Sequence, residues 1–418
     1  MTMQYRHLSK HIALMPLCLC LLIFITSTPA LNANQHTPKK LLMHYMPWYK
    51  TPEIRGEWGQ HWTGFNNQHN PEKLSPNGLP DIWSNYHPLI GPYDSSDPDV
   101  LEYHLLLMKI AGINGVIVDW YGIEDFADYG EIHIASNALF KATKKFNMDF
   151  AVCYEDRTVE YMVQKKHLPK ENITQHLTQT MQWLEQNWFN QPNYVKVNDR
   201  PLLLNFGPIY IKDASHWQQA FKLLNTPPAF FPLHHLWKSV KADGGFTWVH
   251  PSAWNDKEKN KNIRRSLLHE FNYTSNDPNK IIPSALPGFN DVYENSYEGI
   301  DHRNGKTLQE SLSATFAGQW PIIQLVTWND YGEGTMIEPT IEFNYLFLEI
   351  IQDQRKIEHN PNFIYTKQDL RLPRQLFNLR KLKHTSQDQL DQIAQLIATG
   401  QTNLAHKHIN KINSTRPQ

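Results

Sequence analysis

Short apolar runs alternate with longer segments of helical period from residue 40 to about residue 357. Near-continuous apolar runs bounded by turn residues are typical of strands that are buried on both faces. Eight runs fit this description and predict strands at Leu41–Trp48, Gly115–Tyr121, Phe150–Glu155, Pro201–Phe206, Phe230–His235, Phe246–His250, Ile281–Leu286 and Pro321–Trp328.

Helical periods occupy the stretches between these runs. Before the first long helix, Asp97 supplies a cap and Pro98 a first-turn proline. The remaining helical patterns lie at residues 131–146, 170–189, 214–224, 257–271, 307–316 and 342–357.

Eight strands with intervening helices predict an α/β fold, a (β/α)8 TIM barrel with enlarged loops. An open, doubly wound sheet is the alternative, but no glycine-rich phosphate loop follows any predicted strand. Beyond residue 358 the chain becomes basic and is interrupted by prolines before a final helical pair. We therefore predict a barrel domain at residues 34–357 and a small C-terminal helical appendage at residues 358–418.

The first 33 residues have the pattern of a secretory signal peptide. Arg6 and Lys10 precede the apolar run Ile12–Ile25, which gives way to the small-residue segment TSTPALNA. The run is too short and wrongly flanked for a spanning helix. We expect an exported protein, periplasmic or extracellular, with no membrane association once the signal is cleaved.

Charge and aromatic content limit the classes of molecule that the protein is expected to bind. The 418 residues carry 40 basic and 41 acidic side chains, which gives no indication of a nucleic-acid partner. Aromatic residues make up 12% of the chain, and several of them cluster in predicted loops, which favours a ligand that stacks, such as a sugar ring. We expect a monomer that needs no cofactor.

Two carboxylates directly follow the eighth predicted strand and form the best candidate for chemistry. Glycosidic bond cleavage needs one carboxyl group that donates a proton to the leaving oxygen and a second that activates a nucleophile. Asp330 and Glu333 are three residues apart on a loop that leaves the strand. Acidic groups at the end of a buried strand are costly unless they are paired or used, so we predict these two as the catalytic pair.

Other polar and aromatic residues at predicted strand ends are candidates for sugar binding. Barrel active sites lie at the C-terminal ends of the strands, where these side chains converge. An ion pair holding the third strand is the alternative for Glu155, Asp156 and Arg157, and core packing is the alternative for the tryptophans. The predicted substrate-binding residues are Tyr45, Trp48, Trp120, Glu155, Arg157, His234, Asn329 and Tyr331.

A catalytic metal is a further alternative, because His44, His234, His235 and His250 lie near predicted strand ends. No H-x-H pair stands on the first strand, so we predict no metal ligands. Cys153 lies in the apolar run FAVCYED, which predicts a buried, inert thiol.

Six segments resemble glycoside hydrolase families 71 and 99, which are (β/α)8 barrels acting on α-linked polysaccharides. They are HYMPWY (44–49), HPLIGPYDSSDP (87–98), AGINGVIVDWYG (111–122), CYEDRT (153–158), PGFND (287–291) and WNDYGEGTMIE (328–338). The start of the last segment is similar to the family 71 endo-α-1,3-glucanases, and GPYDSSDP and GTMIE are similar to the family 99 endo-α-1,2-mannanases.

The resemblance implies roles for the two carboxylates. The position of Glu333 matches the family 99 acid/base, and the position of Asp330 matches the residue that takes a proton from the sugar 2-hydroxyl, which is Glu in family 99. The implied function is cleavage of internal α-linkages in a glucan or mannan, with an α-linked oligo- or polysaccharide as the partner. The alternatives are a non-catalytic carbohydrate-binding protein on the same barrel and a metal-dependent hydrolase.

Overall fold

The computed structural model describes residues 38–249, 275–293, 299–359, 362–382 and 384–414, together with Leu267. The predicted signal peptide, the helical pattern at 257–271 except Leu267, and His250 lie outside the described residues. No helix within these ranges is long and apolar enough to cross a lipid bilayer.

The predicted strands are present, most of them shorter than the apolar runs that indicated them. Pro283 splits the seventh run into two short strands, because proline donates no hydrogen bond to a sheet ladder. A two-residue antiparallel strand before the fourth run was not predicted. The strands are β1 Lys40–Tyr45, β2 Gly115–Trp120, β3 Asp149–Tyr154, β4 Lys196–Val197, β5 Arg200–Asn205, β6 Ala229–Pro232, β7 Gly245–Phe246, β8 Ile281–Ile282, β9 Ser284–Ala285 and β10 Ile322–Leu325.

The sheet is parallel and curls around a common interior. Strands pair in parallel in the order β6-β5-β3-β2-β1-β10-β9, and β7 pairs with β8. A parallel bridge between Leu233 and Phe246 connects the end of β6 to β7. This arrangement confirms the predicted (β/α)8 class.

Helices follow most strands and cover the outside of the sheet. The helix at 98–111 begins as predicted, since the Asp97 side chain accepts the Asp99 N–H and Pro98 occupies the first turn. The helices are α1 Pro52–Arg55, α2 Gln60–Thr63, α3 Pro98–Ala111, α4 Tyr129–Lys145, α5 Arg157–Gln164, α6 Ile173–Leu184, α7 Ala214–Lys222, α8 Lys306–Ala317, α9 Leu346–His359, α10 Leu372–Leu382, α11 Gln387–Ala398 and α12 Thr402–Ser414.

Alternate residues of each strand belong to different cores. Leu42, Ile117 and Ala151 pack together inside the barrel, whereas Met43 and Val118 pack against the helices. This is the period of two that a strand imposes on its side chains. It decides which residues at each strand end face the interior.

The C-terminal helices pack on the barrel domain, which confirms a helical C-terminal part. α10 and α11 contact α3, and a buried ion pair joins the two regions. Nε and Nη2 of Arg380 each lie 2.8 Å from an oxygen of Glu102 on α3, and both side chains are under 8% exposed. A bidentate pair of this kind fixes the position of α10.

We expect R380A to lower the free energy of unfolding by about 3 kcal/mol, because it leaves the buried Glu102 carboxylate without its main partner. Urea unfolding followed by fluorescence measures the change. The control is K367A, which removes a pair with Asp353 whose side chains are 45% and 53% exposed; it should cost under about 1 kcal/mol. Equal effects of the two substitutions would contradict the prediction.

Candidate active site

A cavity of about 320 Å³ lies at the C-terminal ends of the strands. Its walls come from β1 and β2, from the segments that follow β3, β5, β7 and β10, and from two loops. In a (β/α)8 barrel this is the face that carries the active site. The lining residues are His44, Met46, Trp48, His61, Phe65, Asp119, Tyr121, Glu155, Arg157, Phe206, Trp248, Tyr293, Asp330 and Glu333.

Asp330 is 3% exposed and is fixed by two backbone interactions. Its N–H donates to Thr327 Oγ1 at 2.8 Å, and its Oδ1 accepts the Glu333 N–H at 2.9 Å. Burial raises the pKa of Asp330 to about 7, and the charge of Asp291 acts in the same direction, while the Glu333 N–H opposes it. Asp330 therefore exchanges a proton near neutral pH.

Glu333 lies on the same loop and faces the same cavity. The loop is held by hydrogen bonds from the backbone N–H groups of Asn290 and Val292 to the carbonyls of Glu333 and Gly332. Within the described residues, Glu333 Oε2 has no hydrogen-bond partner. Burial, followed by the charges of Asp330 and Asp291, raises the pKa of Glu333 well above its ordinary value.

Two further carboxyl groups, Asp119 and Glu155, face the cavity. Asp119 is 2% exposed, and its pKa is raised well above normal by burial and then by Glu155 and Asp330. Burial, with the charge of Asp156, raises the pKa of Glu155 to about 8, although Arg157 opposes the shift. Like charges in one apolar cavity disfavour simultaneous ionisation, so the four carboxyls hold protons that isolated ones would release.

Aromatic side chains form much of the remaining wall. Trp48 stacks on His61 with ring centroids 4.3 Å apart and planes 5° apart. His61, Phe65 and Tyr293 were not among the sequence candidates, because His61 lies on the four-residue helix α2 and the other two lie on loops, where no periodicity indicates a role. Phe65 is 65% exposed, an uncommon state for a phenylalanine and one visible only in the structure.

A second cavity of about 720 Å³ adjoins the first and shares part of its wall. The shared residues are Trp48, His61, Phe65 and Tyr121. The two cavities therefore form neighbouring parts of one surface depression.

The structure corrects the prediction for two aromatic residues at strand ends. Tyr45 is fully buried, and its hydroxyl lies 2.9 Å from His104 Nδ1. Trp120 is also fully buried; its Nε1–H donates to His133 Nδ1, and its ring packs against Trp188. Both side chains point away from the cavity because their neighbours His44 and Asp119 point into it.

Asn329 and Tyr331 are likewise placed in the core rather than on the cavity. The Asn329 amide accepts the Met46 N–H and donates to the Met46 carbonyl, each at 2.9 Å. Tyr331 is fully buried against Tyr49 and Trp62. Neither side chain lines the cavity, and both residues hold the loop that carries Asp330 and Glu333.

Four more candidates lie in different places. Arg157 and Glu155 line the cavity, and their contact with a sugar stays a prediction. His234 does not belong to the wall; its N–H donates to the Phe246 carbonyl at 2.8 Å beside the β6–β7 bridge. Asp156 accepts backbone N–H groups from Ile209, Tyr210 and Ile211 at 2.7–2.9 Å, so its carboxyl anchors a loop instead of a sugar.

Among the described residues, His44, Asp119 and Cys153 form a group whose nitrogen, oxygen and sulfur atoms could hold a metal ion. One ligand atom from each lies within 4.8 Å of the other two. Burial lowers the pKa of His44 to about 3, so its ring is neutral at physiological pH. Cys153 is buried as predicted, and burial raises the pKa of its thiol.

We expect D330N to stabilise the protein at alkaline pH. The folded pKa of Asp330, about 7, exceeds the unfolded value of about 4, so the folded chain holds a proton that the unfolded chain releases. Stability therefore falls as pH rises through this window, and an amide removes the loss. The free energy of unfolding should rise by about 2–4 kcal/mol at pH 8 and by under about 1.5 kcal/mol at pH 5.

Urea unfolding at the two pH values measures this difference. E310Q is the control, because Glu310 forms an ion pair with Arg303 on the surface of the barrel, and its loss should not stabilise the fold at either pH. A gain for D330N that is the same at pH 5 and pH 8 would contradict the expected ionisation.

Comparison with known proteins finds similarity to enzymes that act on carbohydrates. Residues 37–226 match the model of glycosyl hydrolase family 99. The chain is 24% identical to the glycoprotein endo-alpha-1,2-mannosidase of Mus musculus, over 74% of this chain and 70% of that protein. It is 25% identical to the Xenopus laevis protein of the same name, over 74% and 72%.

A solved structure shares the fold. The GH99 endo-alpha-mannosidase from Bacteroides thetaiotaomicron superposes with a TM-score of 0.57 and 20% identity, over 76% of this chain and 97% of that chain. The family model, the relatives and the shared barrel agree with the resemblance carried by the sequence motifs. The chain is therefore similar to glycoside hydrolases of family 99 in its sequence over residues 37–226 and similar to a solved member of that family in its fold.

Proposed function

We propose that this chain is an exported, endo-acting glycoside hydrolase that cleaves α-mannosidic linkages by carboxylate acid/base catalysis. The observation that carries the proposal is that Asp330 and Glu333 face one cavity beside the stacking surface of Trp48. A proton donor, a base and an aromatic platform are the components that glycoside hydrolysis needs.

Glu333 is the proposed general acid. Burial and neighbouring negative charges favour its protonated form, so it holds a proton at the pH where the enzyme works. Its Oε2 has no partner among the described residues, which leaves that oxygen available to the leaving group. Glu333 donates the proton to the glycosidic oxygen as the bond breaks.

Asp330 is the proposed base. Its pKa, about 7, lies in the range where a base is ionised yet still accepts a proton readily. The environment of Glu333 favours its protonated form, and that of Asp330 allows ionisation near neutral pH. Two carboxyl groups that differ in this way can act as acid and base in one site. Asp330 takes a proton from a substrate hydroxyl or from water.

The remaining wall suits a sugar ring. Trp48 presents an aromatic face to the C–H groups of a pyranose, and Arg157 presents a fixed fork of N–H donors to its oxygens. Glu155 and Asp119 accept or donate hydrogen bonds to ring hydroxyls according to protonation.

The substrate class follows from the relatives. Their names describe endo-α-mannosidases, and these support a mannan or mannose-containing glycan over a glucan for this chain. The adjoining cavity of about 720 Å³ gives room for further sugar residues, as an endo-acting enzyme requires. Asp330 still differs from the Glu that family 99 has at this position.

Export and oligomeric state remain part of the proposal. The N-terminal charge, apolar run and small-residue segment support secretion to the periplasm or the extracellular medium. We propose that the exported enzyme acts as a monomer on an α-linked oligo- or polysaccharide.

We expect E333Q to lower kcat on an α-1,2-mannan by about 10²–10⁴-fold, because the amide has no proton to donate. A mannosyl fluoride, whose leaving group needs little protonation, should restore much of the rate to E333Q but not to D330N. Kinetics on both substrates measure the two effects. E310Q serves as the control and should keep wild-type rates on both.

Full activity of E333Q on mannan would overturn the acid assignment. Hydrolysis of α-1,3-glucan in preference to mannan by the wild-type enzyme would overturn the substrate class while leaving the acid assignment intact.

The pH profile should reflect both carboxyls. Activity requires Asp330 to be ionised and Glu333 to be protonated, so kcat/KM should fall as pH drops below about 7. It should fall again at higher pH, where Glu333 loses its proton. A profile that stays flat from pH 5 to pH 7 would contradict the role of Asp330 as the base.

A further inference from the structure

Three buried side chains on neighbouring strands meet beside the cavity, and two of them, His44 and Asp119, belong to its wall. His44 and Asp119 are the next-to-last residues of β1 and β2, and Cys153 lies opposite Asp119 in the β2–β3 register. A nitrogen, an oxygen and a sulfur from these residues are mutually within 4.8 Å. The cluster is separate from Asp330 and Glu333 in the chain but opens on the same cavity.

The tautomer of His44 is set by its neighbour on β10. His44 Nδ1 lies 3.4 Å from Gln324 Oε1, an oxygen that only accepts, so the Nδ1–H donates. Gln324 is held in turn, because its Nε2 donates to Ser284 Oγ at 3.2 Å. The lone pair of His44 is therefore on Nε2, and metal-binding histidines are commonly oriented by such a second hydrogen bond.

Two ligand atoms of the cluster lack partners. His44 is fully buried and Asp119 is 2% exposed, yet His44 Nε2 and Asp119 Oδ2 have no hydrogen bond among the described residues. Buried polar atoms without partners are costly and call for an explanation. A bound ion satisfies both atoms at once.

We propose that His44, Asp119 and Cys153 form a site for a Zn²⁺-class ion. Imidazole, carboxylate and thiolate together favour zinc or a similar transition metal over Mg²⁺ or Ca²⁺, which prefer oxygen alone. Ligand atoms on one tetrahedral zinc lie roughly 3.3–3.8 Å apart. The atoms of the cluster reach that separation by moving at most about 1 Å, within the range of small side-chain rotations.

The ion has three protein ligands and a fourth position toward the cavity. Because His44 and Asp119 also belong to the cavity wall, a bound ion takes the place of sugar hydroxyls at the floor. The ion is therefore an inhibitor of the proposed hydrolase and not its cofactor. Metal binding itself does not depend on the proposed function.

Metal titration of the full-length chain tests the site. After chelator treatment, the protein should bind one Zn²⁺, and one Co²⁺ with the charge-transfer absorption of a cobalt–thiolate bond. H44Q, D119N and C153A should each weaken Zn²⁺ binding at least tenfold, and C153A should lose the absorption. The control is E310Q, which alters a carboxyl on α8 paired with Arg303 and should bind Zn²⁺ as the wild type does.

Folding and inhibition are checked separately. C153S keeps nearly the volume of cysteine and lacks the thiol, so it replaces C153A if near-ultraviolet circular dichroism shows that C153A is perturbed. Zn²⁺ should inhibit hydrolysis by the wild type at concentrations at least tenfold below those needed for C153A. Failure of the hydrolase assay alone would overturn the proposed function and leave the binding results standing.

Two results overturn the metal site. One is the absence of stoichiometric Zn²⁺ binding by the wild type, which would mean that Asp119 or Cys153 donates a hydrogen to His44 Nε2 instead. The other is equal binding and equal cobalt absorption in the wild type and in both Cys153 variants.

Discussion

The buried carboxyl group of Glu338 makes the interactions on which the loop that carries Asp330 and Glu333 depends. It is fully buried, and its two oxygens lie 2.8 Å from the Tyr93 hydroxyl and 3.0 Å from His104 Nε2. The Tyr93 hydroxyl accepts from Asn329 Nδ2 at 3.1 Å, and Asn329 clamps the Met46 backbone. A buried charge is stable only when such partners surround it, so Glu338 fixes the loop between two strand ends.

The rigidity of this loop matters because burying the carboxyl groups of the cavity destabilises the folded state. Asp119, Glu155, Asp330 and Glu333 are taken out of water together, and their pKa values are raised by burial and by one another. Each would be more stable exposed, so the loop that carries two of them would move outward if nothing held it. The network behind the loop offsets this tendency, as expected where function and stability conflict.

The sequence predicted the strands better than the direction of their side chains. All eight runs contain strands in the parallel order of a barrel, because hydrophobic runs and helical periods carry that information. Strands buried on both faces show no alternation of polar and apolar residues. The sequence therefore could not indicate that His44 and Asp119 face the cavity while Tyr45 and Trp120 face the helices. Residues outside the strands and the long helices, such as His61 on the four-residue helix α2 and Phe65 on a loop, had no period to indicate them.

At the ends of β1 and β2, one residue therefore faces the cavity and the next packs against the surrounding structure. On β1, His44 faces the cavity while Tyr45 bonds to His104, the partner of Glu338. On β2, Asp119 faces the cavity while Trp120 packs outward. The segments that resemble the hydrolase families thus alternate between residues that line the cavity and residues that hold the cavity wall in place. A substitution at an outward position should alter the site through its geometry, even though that side chain never contacts the substrate.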